Sequence, residues 1–191
     1  MSIIIKPDLN IEDSQLITIY TAVAVCKAIE KLTNLSPKIK WVNDIFLKDK
    51  KISGILTEAT IDFESGRIES IIVGIGINIQ TKEENFPDEL TEIAGSLFPM
   101  DVSRNMIIAQ ILNEFFMIFK SIKRHELIQD YKSRSFILGM EISYDKGNDI
   151  VYGTAIDINE NGNLIVKTRY GDIESLNSGE IRIKWKNKDR T

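Results

Sequence analysis

Charged and amide side chains interrupt a strand-like run of the sequence, KIKWVNDIFL, at residues 38–47. Asparagine, aspartate and, to a lesser degree, lysine are depleted in strands, so their presence here needs a reason. If the strand is regular, Lys40 and Asp44 share one face and Asn43 lies on the other. A single lysine is normally a solvated charge, but its ammonium group also suits a carboxylate or a phosphate. The run therefore indicates an anion-binding role for Lys40, provided that other unusual strand residues lie nearby.

Such residues occur in two later strand-like runs, KISGIL and IIVGIGINI. Alternation along the second run places Gly74, Gly76 and Asn78 on one face and the apolar residues on the other. Gly54 is a third strand glycine, and Lys51 opens the run that contains it. Bare backbone allows either a flat molecule or a closely packed helix to approach that face. If the three runs are neighbours in one sheet, they form a patch suited to a ligand with a flat part and an anionic part.

Several other kinds of site are excluded by the sequence. A dinucleotide-binding G-x-G-x-x-G motif would need glycine at the position of Ile79, and no G-x-x-x-x-G-K-[ST] motif occurs. The single cysteine, Cys26, rules out an internal disulfide and a multi-cysteine zinc site. The single histidine, His125, rules out a two-histidine metalloprotease motif. We expect Cys26 to be buried in a helix and His125 to occupy a solvated helical position.

Charge and hydropathy limit the partners and the compartment. A net charge of −4 and a pI near 5.2 do not favour nucleic acid or an anionic membrane as the main partner. The N-terminal MSIII run is too short for a signal peptide, and no segment reaches transmembrane length. The expectation is therefore a reduced, cytoplasmic protein.

The elements that must position the candidate residues follow from the spacing of apolar residues. Helical spacing extends from Ile11 to about Leu32, and strand-like runs follow it at 38–47, 51–59 and 68–79. Two further helices are expected. One begins near Ser103 and carries Ile108, Ile111, Phe115, Ile118 and Ile122 on one side; a shorter one carries Leu127, Ile128 and Tyr131.

The pattern changes after about Phe136 to short alternating strands. They are MEISY, DIVYGTAIDI, NLIVKT, DIESL and EIRIKW, separated by turns rich in glycine and asparagine. Five closely spaced strands of this kind predict a small barrel of the SH3 type. The sequence therefore predicts an α+β protein with two domains, residues 1–135 and 136–191. The first domain is expected to be a mixed sheet with packed helices.

Taken together, K-W-V-N-D, K-x-S-G-I-L-x-E and G-I-G-I-N resemble three motifs of the biotin–protein ligases, also called biotin–[acetyl-CoA-carboxylase] ligases. Those motifs are K-W-P-N-D, K-x-x-G-I-L and G-x-G-x-N, in the same order and at the same spacing, and Val42 stands where the family has proline. The helical segment and the closing strands resemble the same family, so the resemblance covers essentially the whole chain. It implies a class II synthetase-like catalytic domain, truncated at its N-terminus, followed by an SH3-like domain. The family's upstream Gly-Arg-Gly-type loop, which closes over biotin, has no counterpart in these residues.

The resemblance also implies a reaction and a set of site residues. In the family, the biotin carboxylate attacks the α-phosphate of ATP with Mg2+, and biotinyl-5′-AMP then donates biotin to a lysine of biotin carboxyl carrier protein. The implied catalytic residues are Lys40, Asp44 and Lys51; the implied biotin-binding residues are Lys40, Gly54, Gly74 and Gly76; and the implied nucleotide-binding residues are Asn43, Lys51 and Asn78. No protein side chain is assigned to the metal. A loop from Ala59 to Ile68 is expected to fold over the adenine.

Several alternatives remain open. The chain could be a non-catalytic remnant that keeps nucleotide or partner binding, or one half of a split ligase that another polypeptide completes. A related lipoate–protein ligase is a third alternative, although the motif set and the SH3-like tail fit the biotin branch better. Partners could therefore include a complementing upstream chain or a second copy of this chain, besides the carrier protein of acetyl-CoA carboxylase.

Overall fold

A computed structural model of the protein describes residues 1–7, 9–14, 16–62, 64 and 67–184. Its strands are β1 Ser2–Ile5, β2 Lys38–Lys40, β3 Asp44–Leu47, β4 Lys50–Asp62, β5 Arg67–Ile77, β6 Glu141–Lys146, β7 Asp149–Ile158, β8 Leu164–Thr168, β9 Ile173–Leu176 and β10 Ile181–Ile183. Its α-helices are α1 Ile11–Ser14, α2 Leu16–Leu32, α3 Arg104–Ser121 and α4 Arg124–Arg134. Two short 3-10 turns, Glu83–Asn85 and Asp88–Leu90, lie between β5 and α3. The α+β class predicted from the sequence is confirmed.

The first five strands form one sheet in the order β1-β5-β4-β3-β2. Every pairing between these strands is antiparallel, so the prediction of a mixed sheet is corrected in this respect. Within the described ranges, parallel pairing is confined to two isolated bridges, Ile39 with Ser135 and Lys51 with Ala94. The reason is that β2 to β5 follow one another through short connections, which allow only antiparallel neighbours.

One face of this sheet packs against α2. The helix is buried along most of its length, including Cys26, and Ile55, Val73 and Ile75 face it from the sheet. A hydrogen bond from the Thr18 hydroxyl to the Thr57 hydroxyl, 2.9 Å long, joins helix and sheet directly. The predicted burial of Cys26 is confirmed, and burial raises the pKa of its thiol to about 12.

The helices α3 and α4 complete the covering layer. Ser103 caps α3, since its hydroxyl accepts a 3.2 Å hydrogen bond from the backbone N–H of Met106, as the sequence predicted. Of the predicted apolar stripe, Ile111, Phe115 and Ile118 are buried, whereas Ile108 is exposed. In α4, Leu127, Ile128 and Tyr131 are buried, and His125 is exposed as expected.

The run 38–47, predicted as one strand, is two strands joined by a turn at residues 41–43. The turn is stabilised because Trp41 and Asn43 find partners that a regular strand would not offer them. The Trp41 indole N–H donates to the carbonyl of Gly162, and the Asn43 amide donates to the carbonyl of Ile55. The peptide bond between Trp41 and Val42 is cis.

The segment 59–68, predicted as a loop, is largely strand. β4 continues to Asp62 and β5 begins at Arg67, and the pairing of these two strands reaches the Asp62–Arg67 pair with one register shift after Thr60. The β-branched residues Thr60 and Ile61 favour this extension. Within the predicted loop, positions 63, 65 and 66 lie outside the described residues.

The last five strands form a second antiparallel sheet in the order β10-β6-β7-β8-β9. All five strands fall where the sequence predicted them. Inward-facing Ile142, Ala155, Leu164, Val166 and Ile181 are buried, which follows from the period-two alternation of each strand. The predicted boundary between residues 135 and 136 lies in the connection between α4 and β6, and it stays a prediction. Among the described residues, none of the helices combines the length and the apolar character that a membrane crossing requires.

Candidate active site

Four of the candidate residues form a straight row across the first sheet. Lys40 pairs with Asp44, Asp44 with Gly54, and Gly54 with Gly76 in the registers of four neighbouring strands. Directly opposed residues point to the same face of a sheet. The structure therefore brings together a cation, a carboxylate and two bare glycines that are up to 36 positions apart in the sequence.

Lys51 joins this row because of a β-bulge. A regular strand would place Lys51 and Gly54 on opposite faces, but Ile45 pairs with Ser53 and Phe46 with Lys51, so Ile52 is an extra residue between them. The bulge turns the Lys51 side chain onto the glycine face. Its Nζ forms an ion pair with Asp44 Oδ1 at 2.6 Å and lies 3.4 Å from the position that a Cβ on Gly54 would occupy.

Lys40 and Lys51 differ in how their charges are balanced. The Asp44 carboxylate partly neutralises Lys51, whose side chain is 45% exposed. Lys40 forms no ion pair with any described residue. Among the described residues, the site therefore has one cation without an ion-pair partner and a second that is shared with a carboxylate.

The glycine face of the sheet is open and apolar. A Cβ on Gly76 would meet nothing closer than the Gly54 carbonyl oxygen at 3.9 Å, and a Cβ on Gly74 would meet the Leu56 carbonyl oxygen at 3.7 Å. Leu56 is 62% exposed on the same face, and Ile72 lies beside it with 39% exposure. No helix of the described residues covers these glycines, so the helix-packing explanation for them is not supported. Leu56 was not predicted as a site residue, because its exposure on the glycine face is visible only in the structure.

A cavity of about 740 Å³ adjoins the charged end of the row. It forms because β3 begins at Asp44, opposite Gly54, so the further part of β4 has no neighbour on that side. Thr57, Ala59 and Ile71 line its sheet side, and Lys40, Asp44 and Lys51 line it near the row. The strand glycines and Asn78 do not line this cavity. The polar lining suits a phosphate or a carboxylate at this end of the site.

The second sheet also reaches the cavity. The segment 177–181, which leads from β9 into the first residue of β10, lines it, and Ser14 and Thr18 contribute from α1 and α2. The Asn-Ser-Gly of this segment was predicted to be a turn and was part of the resemblance of the closing strands to the family, but it was not predicted to line the site. Nothing local in it indicates proximity to Lys40, because the contact joins parts of the chain well over 100 residues apart.

The two asparagines are already engaged in backbone hydrogen bonds. Asn43 Nδ2 donates to the Ile55 carbonyl at 2.8 Å, and Asn43 lines the cavity. Asn78 Nδ2 donates to the Gly95 carbonyl at 3.0 Å, which holds the segment after β5 against the sheet. Each asparagine therefore has its Oδ1 and the second hydrogen of Nδ2 left for a ligand. Asn43 is placed to reach the site, whereas the side chain of Asn78 is directed to the Gly95 segment.

Tyr131 supports the turn that carries the site charges. Its hydroxyl donates to the Val42 carbonyl at 2.9 Å. Burial, and after it the neighbouring Cys26 and Asp44, raises the pKa of Tyr131 well above its ordinary value. The phenol therefore keeps its proton near neutral pH and remains a donor to the turn.

Metal ligands are not assembled near these residues. Within the part of the chain that the structure describes, no cluster of three or more His, Cys, Asp or Glu side chains could hold a metal ion. Asp44, the carboxylate of the row, already pairs with Lys51. A magnesium ion at this site would depend on oxygen ligands from the phosphates of a nucleotide.

Comparison with known proteins gives a consistent result. Residues 1–78 match the Biotin/lipoate A/B protein ligase family, and residues 137–183 match the Biotin protein ligase C terminal domain. The bifunctional ligase/repressor BirA of Bacillus spizizenii is 33% identical over 189 residues, which are 96% of this chain and 57% of that protein. The biotin–[acetyl-CoA-carboxylase] ligase of Mycobacterium tuberculosis is 29% identical over 158 residues, 78% of this chain and 55% of that protein. The chain thus spans about half the length of the curated relatives it matches.

Solved structures show the same relationship. The biotin protein ligase of Aquifex aeolicus, determined in complex with biotin and ATP, has a TM-score of 0.76 and 26% sequence identity. The similarity covers 96% of this chain and 76% of that one. The likeness therefore includes both sheets and the segments between them.

Proposed function

We propose that the chain, which belongs to the biotin/lipoate A/B protein ligase family, takes part in the ATP-dependent attachment of biotin to a carrier protein. It also carries the biotin protein ligase C-terminal domain. Biotin and ATP would be its substrates. A relative named as a ligase of acetyl-CoA carboxylase supports the carrier of that enzyme as the acceptor.

The observation that carries this proposal is the row from Lys40 to Gly76 with Lys51 above Gly54. The glycines and Leu56 offer an apolar surface that a flat ring can cover, since no Cβ stands in its way. The two lysines stand at one end of that surface. Biotin has this shape, with a compact fused ring at one end and a carboxylate at the end of an aliphatic chain.

The first step joins two anions. A carboxylate oxygen of biotin attacks the α-phosphorus of ATP, the bond from that phosphorus to its bridging oxygen breaks, and pyrophosphate leaves with the electron pair. The barrier is lowered by holding the reactants in line and by offsetting the negative charge that accumulates. Lys40, which forms no ion pair with the described residues, would contact the carboxylate and the phosphate. Lys51 would add positive charge over the glycines.

The second step transfers the biotinyl group to a lysine amine. The neutral amine attacks the acyl carbon, and AMP leaves from the mixed anhydride. Asp44 is the group proposed to orient this amine and accept its proton. Its Oδ1 pairs with Lys51, and its Oδ2 has no partner among the described residues. Asn43 and Asn78 are proposed to hold the nucleotide through the amide oxygen and the second amide hydrogen that their backbone hydrogen bonds leave available.

The choice of biotin over lipoate rests on the C-terminal sheet. The family model of the first 78 residues includes both kinds of ligase, but residues 137–183 match a domain described for biotin protein ligases. In this structure that domain lines the cavity beside Lys40. Magnesium would enter with ATP, because Asp44 is the only carboxylate of the row and is engaged with Lys51.

These 191 residues contain no Gly-Arg-Gly-type loop. Without such a loop, water would reach the mixed anhydride, and each missing preorganised donor can lower the rate by about two to three powers of ten. We therefore propose that residues 1–191 alone bind biotinyl-5′-AMP but transfer biotin slowly. Transfer would be restored by the upstream half of the Bacillus spizizenii relative, supplied as a separate polypeptide.

Two measurements test the proposal. Calorimetric titration of residues 1–191 with biotinyl-5′-AMP should show binding that biotin weakens by competition. An avidin blot should then show biotin on the carrier protein when ATP, biotin and the upstream polypeptide are present. Binding without transfer in every mixture would favour the non-catalytic alternative. Absence of any binding to biotinyl-5′-AMP would overturn the assignment of the row as the substrate site.

A further inference from the structure

We infer that Gly162, at the tip of the β7–β8 turn in the second sheet, is a positioning residue for the proposed site. Its carbonyl oxygen holds the indole of Trp41, and Trp41 begins the turn that sets Lys40 opposite Asp44. The second sheet would thereby control the geometry of the charged end of the row. The ligand-binding part of this inference rests on the proposed function.

The contact between Trp41 and Gly162 is direct and buried. The indole Nε1–H donates to the Gly162 carbonyl at 2.9 Å, and Trp41 is 3% exposed. The two residues are 121 positions apart in the chain. A buried indole N–H without a partner is costly, so this hydrogen bond specifies where Trp41 must lie.

The backbone at position 162 strongly favours glycine. Its φ angle is +81°, in the left-handed region that side chains rarely adopt. A Cβ there would also lie 2.3 Å from Ile19 Cδ1 and 3.5 Å from Leu16 Cδ2, so the turn sits tightly against α2. A larger residue would push the turn, and with it the carbonyl that Trp41 needs, away from the helix.

The turn that presents Gly162 is itself rigid. The side-chain Oδ1 of Asn159 accepts from the backbone N–H groups of Asn161 and Asn163, both at 3.0 Å. The backbone N–H of Gly162 donates to the Asn159 carbonyl at 2.9 Å. A nearby ion pair, Lys132 Nζ to Asp157 Oδ1 at 2.6 Å, ties the end of β7 to α4. The carbonyl of Gly162 is therefore held in one place.

The effect on the site follows from the position of Trp41. Lys40 and Asp44 flank the three-residue turn of which Trp41 is the first member, and both line the cavity. The other two members of the turn are held from elsewhere, Val42 by Tyr131 and Asn43 by Ile55. Loss of the Gly162 contact would leave one corner of the turn unfixed, namely the corner next to Lys40.

The test compares three variants in a Trp185→Phe background, so that Trp41 is the only tryptophan that emits. Gly162→Ala displaces the turn, and Trp41→Phe removes the donor but keeps the ring. Gly139→Ala is the matched control, because its φ of +84° imposes the same backbone strain and a Cβ there would meet nothing within 4 Å.

We expect Trp41 emission to move to longer wavelength in Gly162→Ala and to stay unchanged in Gly139→Ala. We expect Gly162→Ala and Trp41→Phe each to bind biotinyl-5′-AMP roughly fivefold more weakly, as loss of one buried hydrogen bond predicts. Trp41→Phe should also lower the thermal midpoint, because it leaves the buried Gly162 carbonyl unpaired. The affinity of the folded variant is therefore the deciding measurement, since a purely structural role would lower the midpoint and not the affinity.

Two results would overturn the inference: unchanged emission in Gly162→Ala, or parental affinity in both Gly162→Ala and Trp41→Phe. If Gly162→Ala does not fold, Trp41→Phe decides by its affinity. If the parent itself does not bind biotinyl-5′-AMP, the proposed function fails, and the emission of folded Gly162→Ala still decides whether Gly162 positions Trp41.

Discussion

Lys51 and Asp44 form an ion pair over the bare backbone of Gly54, with 2.6 Å between Nζ and Oδ1. This relationship gives the two lysines of the site different roles. The charge of Lys51 is shared with a carboxylate, while Lys40 has no described acidic partner. An incoming anion therefore competes with Asp44 for Lys51 but not for Lys40.

Replacing Asp44 should separate binding from transfer. Asp44→Asn frees the charge of Lys51, so we expect biotinyl-5′-AMP to bind as well as before or better. Transfer to the carrier lysine should slow by about two powers of ten, because the proposed proton acceptor is lost. Both are measured on the complemented protein, by calorimetry and by the rate of carrier labelling. The exposed Asp101→Asn is the control, and an unchanged transfer rate in Asp44→Asn would remove Asp44 from the mechanism.

Replacing Lys40 should weaken ligand binding more than replacing a solvated lysine does. Lys40→Ala removes a charge-assisted contact and should cost about 1.5–3 kcal/mol of binding free energy to biotinyl-5′-AMP. The control is Lys48→Asn, because Lys48 lies in the β3–β4 turn with a φ of 57°, which asparagine tolerates. That control should change binding by a few tenths of a kcal/mol. Equal losses in calorimetric titration would place Lys40 outside the site.

The strand glycines provide a matched pair of substitutions. Gly76→Val should keep the free energy of unfolding within about 1 kcal/mol, since a Cβ there would make only an ordinary 3.9 Å contact with the Gly54 carbonyl oxygen and valine suits a strand. It should nevertheless abolish adenylate binding by covering the flat surface. Gly153→Val should lower the free energy of unfolding by about 1–3 kcal/mol or more, because a Cβ at Gly153 would lie 2.6 Å from the Lys167 carbonyl oxygen. Urea unfolding measures both, and unfolding of Gly76→Val would show that internal packing explains that glycine.

The contact between α2 and α4 should make stability depend on pH. Asp130 accepts from Lys27 at 2.8 Å and from Arg134 at 2.7 Å. Burial favours its neutral form, but these two hydrogen bonds outweigh burial and hold the pKa of Asp130 below its ordinary value of 3.8. Since the pKa is lower in the folded state, the stabilisation is complete above about pH 3.8 and is lost as the pH falls through the folded-state pKa.

Asp130→Asn should therefore lower the free energy of unfolding by about 1–2 kcal/mol at neutral pH. The difference in free energy of unfolding between this variant and the parent should narrow as the pH falls below about 3.8. Urea unfolding between pH 7 and pH 3 measures this difference. A difference that stays constant down to pH 3 would contradict the lowered pKa of Asp130 in the folded state.

Cys26 should be inert in the folded protein. Burial raises the pKa of its thiol to about 12, so almost none of it is thiolate near neutral pH. Reaction with a thiol-specific disulfide reagent should be negligible in native buffer. In denaturant one thiol per chain should react. Rapid labelling of the native protein would mean that α2 opens readily or that Cys26 is accessible.

Much of the fold follows from the sequence by itself. The long helix, the capped helix after Ser103 and all five strands of the second sheet lie where local periodicity and turn residues predict them. The glycines and the exposed charges of the first sheet were also identifiable, because their residue types are unusual in strands. These features depend on interactions between near neighbours in the chain, and near neighbours are visible in a sequence.

The tertiary structure alone decided how the site is assembled. A bulge at Ile52 puts Lys51 beside Gly54, a turn at residues 41–43 divides a predicted strand, and Trp41 finds its partner 121 positions away at Gly162. Strand register, bulges and long-range hydrogen bonds are set by packing between distant segments, and local propensity carries little information about them. For this reason the sequence determined which residues could form the site, whereas the packing of two sheets around the Trp41 turn decided how those residues face one another.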